Sequence, residues 1–368
     1  MSHQINGRSI LRQVKSRIEI HRDNLKGDLS KMKIIIFQFN PRPDLTNSYE
    51  ISKYKAADTS TSQKCKLFRD FLGCEVNVIK LPDGTQFEDF KKNISVHNKD
   101  ENVKGIIIQY PIPPELDPNE KSEQIVQLIE TSKDIDAMSD AGKERWGRCA
   151  TADAICRVID AGLRPECKIV IVGSIGFVGG GVFDYLESKE ADLELTIETV
   201  NKEAKDSTIS IDRFKELTPS ILVSATGQKE IITVECLEGI KLDLLVDCGF
   251  TITDKKDEKG NNIIIGDVNQ DARKLSQFVT PVPGGIGPME ITVLLERFMI
   301  KEFPNLKIEP WKLITLDKLA EVLAKRSPED STPIDYLVDP RLEFEELLNK
   351  AVISKPKLPN AQRPQQSL

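Results

Sequence analysis

Short apolar runs alternate along the chain with amphipathic stretches, and this alternation predicts strands separated by helices. The runs indicate strands at 33–39, 75–81, 103–110, 168–172, 193–197, 220–225, 242–248 and 262–265. Apolar spacing of helical period predicts helices at about 9–25, 62–72 and 85–97. Because strands that alternate with helices form parallel βαβ units, we predict an α/β fold with two packed cores.

A stretch rich in glycine and charge, at 140–148, separates the first three strands from the others. We predict the domain junction there, with an N-terminal domain at 1–149 and a second domain at 150–288. The turn-forming segment 254–262 is expected to be the loop of a hairpin. Beyond 303 we predict a C-terminal extension at 304–368. It carries helices at 313–323 and 342–352, and its last fifteen or so residues are rich in proline, glutamine and lysine and are expected to be disordered.

Charge and composition exclude several classes of protein. The 368 residues carry 51 Lys and Arg against 58 Asp and Glu, a net charge of −7, which argues against a broadly basic nucleic-acid surface. The uncharged runs are too short and too broken by glycine and proline to span a bilayer. No apolar leader segment opens the sequence, so we expect a cytoplasmic protein. The seven cysteines are scattered without a C-x-x-C pair, which predicts reduced thiols and no metal site.

A glycine-rich turn follows the predicted strand at 168–172. Gly173, Gly176 and Gly179 stand in a G-x-x-G-x-x-G spacing that opens a predicted helix. Glycines allow a tight turn and close approach of a diphosphate, and the N-terminus of a helix favours negative charge. We predict that this segment, including Ser174 and Ile175, binds a dinucleotide; a plain turn between strand and helix is the alternative.

The next predicted strand ends at Glu198, nineteen residues after Gly179. An acid at this position would bond the ribose 2′-hydroxyl, whereas a cation would accept a 2′-phosphate. The sequence has no arginine between Arg164 and Arg213. The pattern therefore favours NAD over NADP, with a solvated Glu198 at a strand end as the alternative.

Several segments, in order, resemble one family: 5–10 (Ile-Asn-Gly-Arg-Ser-Ile), 48–53 (Ser-Tyr-Glu-Ile-Ser-Lys), 105–113 (Gly-Ile-Ile-Ile-Gln-Tyr-Pro-Ile-Pro), 133–136 (Lys-Asp-Ile-Asp) and 280–289 (Thr-Pro-Val-Pro-Gly-Gly-Ile-Gly-Pro-Met). The chain resembles the methylenetetrahydrofolate dehydrogenase/methenyltetrahydrofolate cyclohydrolase family. The resemblance implies a folate-binding catalytic domain and a Rossmann-type NAD(P)-binding domain, with the helix at 289–303 returning to the first domain.

The resemblance also implies an activity. Such an enzyme oxidises 5,10-methylenetetrahydrofolate with a nicotinamide cofactor and hydrolyses the product to 10-formyltetrahydrofolate, in one-carbon metabolism and purine biosynthesis. Both reactions would share one cleft between the domains. Tetrahydrofolate derivatives and a second copy of the chain, in a homodimer, are the partners it implies; nucleic acid and membrane are not.

Tyr49 and Lys53 are four residues apart, so on a helix their side chains lie on one face. By resemblance, Lys53 is the acid/base of hydrolysis, Tyr49 stacks on the folate, and Gln109 hydrogen-bonds to the lysine. An exposed helical pair is the alternative. Asp136 would bind the aminopyrimidine edge of the pterin, with Asp134 as the alternative ligand.

The loop that begins at Pro281 combines fixed φ angles with the flexible Gly284 and Gly285, and by resemblance it lines the folate cleft. The chain departs from the family pattern elsewhere. Ser174 and Ile175 stand where the family has arginine and serine, and Ala137 replaces a glycine. Two alternatives therefore stay open: an enzyme that retains only the cyclohydrolase step, and a non-catalytic folate- or nucleotide-binding protein.

Overall fold

The computed structural model describes residues 2–113, 115–116, 123–200, 211–327, 330 and 333–338. The helices are α1 (Gly7–Leu29), α2 (Ser48–Cys65), α3 (Phe87–Lys99), α4 (Glu123–Val126), α5 (Asp140–Trp146), α6 (Ala150–Asp160), α7 (Phe177–Leu193), α8 (Ile211–Leu217), α9 (Val234–Leu237), α10 (Ile286–Glu302) and α11 (Leu316–Ala324). The strands are β1 (His3–Gln4), β2 (Lys33–Phe39), β3 (Glu75–Leu81), β4 (Val103–Ile108), β5 (Lys168–Val172), β6 (Thr196–Val200), β7 (Ile221–Ser224), β8 (Leu242–Asp247), β9 (Phe250–Lys256), β10 (Asn262–Gly266) and β11 (Ser276–Val279).

Two parallel sheets organise these elements. The first has the order β3-β2-β4, and the second has the order β1-β11-β8-β7-β5-β6. Their central strands are continuous apolar runs, such as Ile34–Phe37, because helices cover both faces of a parallel sheet. The predicted α/β fold is confirmed. The antiparallel pair β9–β10 forms the predicted hairpin.

Two features of composition bear on the predicted class. Among the described residues, no helix is long and apolar enough to cross a membrane. All seven cysteines are free, and five of them are buried, in agreement with the predicted reduced thiols.

The start of the chain forms an edge strand of the second sheet before the chain enters α1 and the first sheet. β1 pairs in parallel with β11, and the Ile5 amide donates to the Val279 carbonyl at 2.8 Å. This strand is not predicted by the sequence pattern, because two residues are too few to show an alternation of polar and apolar positions. Directly after it, Gly7 lies so close to the Gly285 carbonyl that a Cβ there would stand 2.0 Å from the oxygen.

Some predicted boundaries were wrong. The strand predicted at 193–197 is β6, Thr196–Val200, because α7 continues to Leu193 and its cap, Glu194, turns the chain with a φ of 51°. The helix predicted at 62–72 is the end of α2 and a π-helical segment, Lys66–Phe71. The glycine- and charge-rich stretch at 140–148 contains α5, and the domain junction there stays a prediction.

The extension folds back onto the two domains. α11 confirms the helix predicted at 313–323, whereas the helix predicted at 342–352 and the tail at 354–368 lie outside the described residues. The Leu316 amide donates to the Ala161 carbonyl at 2.8 Å, and the Tyr336 hydroxyl donates to the Gln4 carbonyl at 3.2 Å. Trp311 is only 1% exposed. The extension is therefore part of the packed molecule as far as residue 338.

A buried ion pair joins the extension to α6 and α10. Arg157 donates to Glu296 at 2.6 Å, and the Trp311 amide donates to the same carboxylate at 2.8 Å. Burial raises the pKa of Glu296 to about 7, although Arg157 and the Trp311 amide act in the opposite direction. We expect Arg157→Met to lower the free energy of unfolding by about 3 kcal/mol, because it leaves a buried carboxylate without its cation.

The loss of unfolding free energy in Arg157→Met should depend on pH. Without Arg157 the pKa of Glu296 rises further, so Glu296 folds as the neutral acid at low pH and must be buried charged only at high pH. Urea unfolding should therefore show a larger deficit at about pH 8.5 than at about pH 6. The double variant R157M/E296Q, whose amide oxygen can still accept from Trp311, should recover most of the loss. An equal deficit at both pH values would contradict this account.

Candidate active site

A lysine is buried where α2 packs against α10. The inward side chains of α2 and the following π-helical segment are Ala57, Thr61, Lys64 and Phe68, spaced by four, three and four residues as one helical face requires. Phe68 packs edge-on against Phe298 of α10, with ring centroids 5.5 Å apart. Lys64 thereby enters the core with a side chain only 3% exposed.

Three side chains surround the Lys64 ammonium. It donates to Gln109 Oε1 at 3.0 Å and to Ser60 Oγ at 2.9 Å, and it forms an ion pair with Glu290 Oε1 at 2.8 Å. Burial acts to lower the pKa of Lys64, but the carboxylates of Glu290 and Asp136 more than offset it, so the pKa is raised above its ordinary value. The lysine is therefore a charged group held in a dry site.

Different elements supply these partners. Gln109 directly follows β4, and its amide extends the sheet by donating to the Phe37 carbonyl at 2.8 Å. Glu290 lies on the first turn and a half of α10, immediately after the proline–glycine loop. The carboxyl end of a parallel strand and the start of the returning helix thus meet at one lysine, in the position where parallel sheets place their ligands.

The structure does not bring Lys53 to Gln109. Lys53 is exposed, and its ammonium lies 4.4 Å from the centroid of the Tyr49 ring. The two side chains meet on one helical face, as the four-residue spacing predicts, but that face is not the buried one. The first turns of α2 pack instead on the hairpin, where the Ile252 amide donates to Ser52 Oγ at 2.8 Å. The predicted contact between Lys53 and Gln109 was wrong, and Lys64 occupies that place.

The two aspartates at 134 and 136 have different surroundings. Asp134 caps a turn, since it accepts from the Ser139 amide at 2.8 Å and the Ser139 hydroxyl at 2.6 Å. Asp136 accepts from the Ala150 amide at 3.2 Å and acts electrostatically on Lys64. Ala137, directly after Asp136, has a φ of 59°, which lies in the left-handed region that favours glycine. Asp136 is thus the one of the two aspartates whose charge acts on Lys64, and its predicted binding of the pterin stays a prediction.

A buried network of hydrogen bonds and an ion pair fixes the proline–glycine loop that begins at Pro281. This network was not predicted from the sequence. Arg273 donates to the Val282 carbonyl at 3.1 Å and forms an ion pair with Asp247 at 2.8 Å. Burial, with the neighbouring Asp267 carboxylate, raises the pKa of Asp247 to about 7. At the turn itself, the Gly285 amide donates to the Pro281 carbonyl at 2.7 Å. This network holds the loop rigidly beside Glu290.

The glycine turn after β5 has the shape of a phosphate-binding loop. Gly173 has a φ of 89°, and a Cβ on Gly179 would stand 2.1 Å from the Gly173 carbonyl oxygen. α7 begins at Phe177 with its first turn packed against that carbonyl, and the cap residue Gly176 has open space around it. The backbone and helix N-terminus present here fit a diphosphate. Ile175, at the tip, is 82% exposed.

Glu198 is not at the end of its strand, because β6 continues to Val200. Its carboxylate forms an ion pair with Arg213 of α8 at 3.2 Å. The prediction that Glu198 terminates the strand was wrong, and the Arg213 guanidinium lies beside its carboxylate.

The glycine turn and the lysine site face each other. Tyr110, the residue after Gln109, packs edge-on against Phe177, the first residue of α7, with ring centroids 5.6 Å apart. The carboxyl end of β4 and the N-terminus of α7 therefore lie next to each other. A buried lysine near a glycine turn at a helix N-terminus, both at the carboxyl ends of parallel strands, is typical of α/β proteins that bind nucleotides.

Comparison with known proteins gives the family. Residues 5–136 match the tetrahydrofolate dehydrogenase/cyclohydrolase catalytic domain, and residues 149–303 match the NAD(P)-binding domain of the same family. The bifunctional protein FolD of Streptococcus equi subsp. equi is 32% identical over 61% of this chain and 75% of its own length. The chain belongs to the tetrahydrofolate dehydrogenase/cyclohydrolase family.

Two further proteins are similar to this chain at lower sequence identity. The cytoplasmic C-1-tetrahydrofolate synthase of Homo sapiens is 28% identical over 79% of this chain, which spans 30% of that protein's length. The Trypanosoma brucei N5,N10-methylenetetrahydrofolate dehydrogenase-cyclohydrolase, solved with NADP and an inhibitor, superimposes with a TM-score of 0.66 at 21% identity. This superposition covers 83% of the chain and 99% of that structure.

Proposed function

We propose that this chain oxidises 5,10-methylenetetrahydrofolate to the methenyl form with a nicotinamide cofactor and hydrolyses the methenyl bridge to 10-formyltetrahydrofolate. The observation that carries the proposal is the buried Lys64 bonded to Gln109 beside Asp136. A protein that only bound folate would not need an ammonium buried in its core, because burying a charge is costly.

Lys64, in place of Lys53, transfers the proton in the hydrolytic step. Addition of water to the cationic methenyl carbon must be followed by cleavage of a carbon–nitrogen bond, and the departing ring nitrogen needs a proton. The Lys64 ammonium, oriented by Gln109 and Ser60, is the donor. Asp136 accepts hydrogen bonds from the aminopyrimidine edge of the pterin, and the loop from Pro281 through Gly284 and Gly285 lies against the folate.

Gly173, Ser174, Ile175, Gly176 and Gly179 hold the diphosphate of the cofactor. The nicotinamide, when bound, supplies the hydride acceptor. The contact between the Tyr110 and Phe177 rings, which brings the end of β4 next to the start of α7, supports a nicotinamide site close to the folate site. A homodimer stays a prediction from the resemblance, and light scattering of the purified chain checks it.

The experiment gives purified protein methylenetetrahydrofolate with NAD or NADP and follows formation and hydrolysis of the methenyl product by absorbance. Formation and hydrolysis together support the bifunctional enzyme. Hydrolysis of added methenyltetrahydrofolate without reduction of either nucleotide selects an enzyme that retains only the cyclohydrolase step. Absence of both reactions contradicts the proposal and leaves a binding protein.

For the cofactor we propose NAD. Ser174 and Ile175 provide no cation in the phosphate loop, and Glu198 places a carboxylate near the expected ribose position. We expect kcat/KM for NAD to exceed that for NADP by about tenfold or more, since a 2′-phosphate beside an acid costs at least about 1.4 kcal/mol. Arg213→Gln should widen the ratio, because the guanidinium offsets the acid. A higher kcat/KM for NADP would contradict the assignment.

A further inference from the structure

Glu290 forms an ion pair with Lys64 but has no part in the mechanism proposed for hydrolysis. The pair joins α2 to α10 at 2.8 Å, and its members are 3% and 15% exposed. Gln109 and Ser60 already satisfy two of the three ammonium protons, so hydrogen bonding alone does not require a carboxylate there. Glu290 adds a charge to a site that is otherwise lined by neutral groups within bonding distance.

Resting on the proposed role of Lys64, we propose that Glu290 is a positioning residue that holds Lys64 in its charged, proton-donating form against Gln109. An ammonium in a dry site has two outcomes: it loses its proton, or it is stabilised by a neighbouring anion. The structure supplies that anion at the start of α10, directly after the loop assigned to the folate.

The charged groups around the pair favour this arrangement. Asp136 acts on Lys64 from the segment before α5, and the Cys149 thiol, at the N-terminus of α6, is buried beside both acids with its pKa raised to about 12. Arg297, also on α10, donates to the Asp136 carbonyl at 3.3 Å. Among the described groups that act on Lys64, Glu290 is the acid in direct contact.

The proton balance of hydrolysis shows why the charge on Lys64, which Glu290 stabilises, is needed in every turnover. Water adds to the methenyl carbon and releases one proton to solvent. The Lys64 ammonium then protonates the ring nitrogen as the carbon–nitrogen bond breaks, and the new hydroxyl returns a proton to Lys64 as the formyl carbonyl forms. The sum is one methenyl cation and one water giving one formyl product and one proton. Lys64 must begin and end each turnover charged, which is the state that Glu290 stabilises.

The test is the pH profile of hydrolysis in Glu290→Gln. Removing the carboxylate leaves burial as the dominant influence, which lowers the pKa of Lys64, so the ammonium is lost as pH rises through a lower value. We expect the alkaline limb of kcat to move down by about one pH unit or more, so that kcat is close to the parent at about pH 6 and falls to about a tenth of the parent only on the alkaline side of the limb. KM should change little, and the uncatalysed rate is subtracted at each pH.

Two further variants serve as controls for Glu290→Gln. Glu290→Asp retains a carboxylate and should restore part of the alkaline activity. Glu302→Gln removes an acid from the same helix that pairs with Lys104 and Lys301, away from Lys64, and should leave the profile unchanged. A second readout needs no turnover: 13Cε-lysine NMR, with the Lys64 signal assigned by its loss in Lys64→Met, should show the Lys64 pKa falling in Glu290→Gln.

The outcomes separate the two proposals. An unchanged profile together with an unchanged Lys64 titration, or a faster hydrolysis in Glu290→Gln, overturns the role of Glu290. Absence of hydrolysis in the parent chain, or hydrolysis unaffected in Lys64→Met, overturns the proposed function, while the NMR titration still reports whether Glu290 keeps the lysine charged.

Discussion

Replacement of Lys64 by methionine is expected to lower the rate of methenyltetrahydrofolate hydrolysis by about a hundredfold to ten-thousandfold, the usual contribution of a general acid or base. Methionine keeps the length of the side chain in the buried stripe of α2 but has no proton to donate. The measurement is the initial rate of loss of methenyl absorbance at neutral pH, with thermal unfolding recorded beside it. Because the variant leaves the Glu290 carboxylate without its cation, we expect some loss of stability as well, and the thermal unfolding record separates a folded variant that has lost catalysis from an unfolded one.

Lys53→Met is the matched control. Lys53 lies on the same helix, but it is exposed and stacked on Tyr49, so its loss should leave hydrolysis within about twofold of the parent rate. If Lys53→Met were inactive and Lys64→Met active, the site would be the exposed face of α2 and the assignment given above would be wrong.

The second large effect is expected at the glycine turn. In Gly179→Ala the new Cβ would lie 2.1 Å from the Gly173 carbonyl oxygen, a backbone atom that can move only by distorting the turn. We expect the KM for the nicotinamide nucleotide to rise by about tenfold or more, because the turn and the start of α7 no longer fit a diphosphate. Hydrolysis of added methenyltetrahydrofolate should be nearly unaffected, since Lys64 lies on other elements.

Gly27→Ala offers the comparison for glycine replacement itself. Gly27 is on α1, and nothing lies within 4 Å of the position that a Cβ would take. Both activities should be retained, with a small gain in stability from the better helix former. Equal loss of oxidation and hydrolysis in Gly179→Ala would indicate general misfolding rather than a damaged cofactor site.

Much of the fold could be predicted from the pattern of the sequence. β2, β3 and β5 have the predicted bounds: β2 and β5 are buried apolar runs, and β3, at the edge of its sheet, has exposed polar residues between apolar ones. β6 was displaced because Leu193 and Leu195 belong to the end of α7 and the turn beyond it, and a short apolar run does not distinguish a helix end from a strand.

The site was harder to predict, for a reason visible in α2. Tyr49 and Lys53 match the spacing of the family motif, yet the face of the helix that enters the core is set by Ala57, Thr61 and Phe68. Lys64 stands on that apolar stripe, and a lysine at a buried helical position is the signal that could have identified it. The π-helical segment after α2 further displaces the register that simple counting assumes.

Glu290 could not be predicted at all. Its contact with Lys64 spans more than two hundred residues of sequence and exists only because α10 packs between α1, α2 and α6. The same is true of Arg157 and Trp311, which meet through the folded extension. Such contacts depend on tertiary packing, and a single sequence carries no local pattern for them.

The backbone passes between the two sheets three times: from β1 into α1 and β2, from Asp136 through α5 and α6 into β5, and from β11 into α10. Two sheets joined by a single linker can move freely relative to each other, whereas three connections restrict that movement. The side chains that different elements bring to Lys64 are therefore held together by the covalent path of the chain as well as by packing.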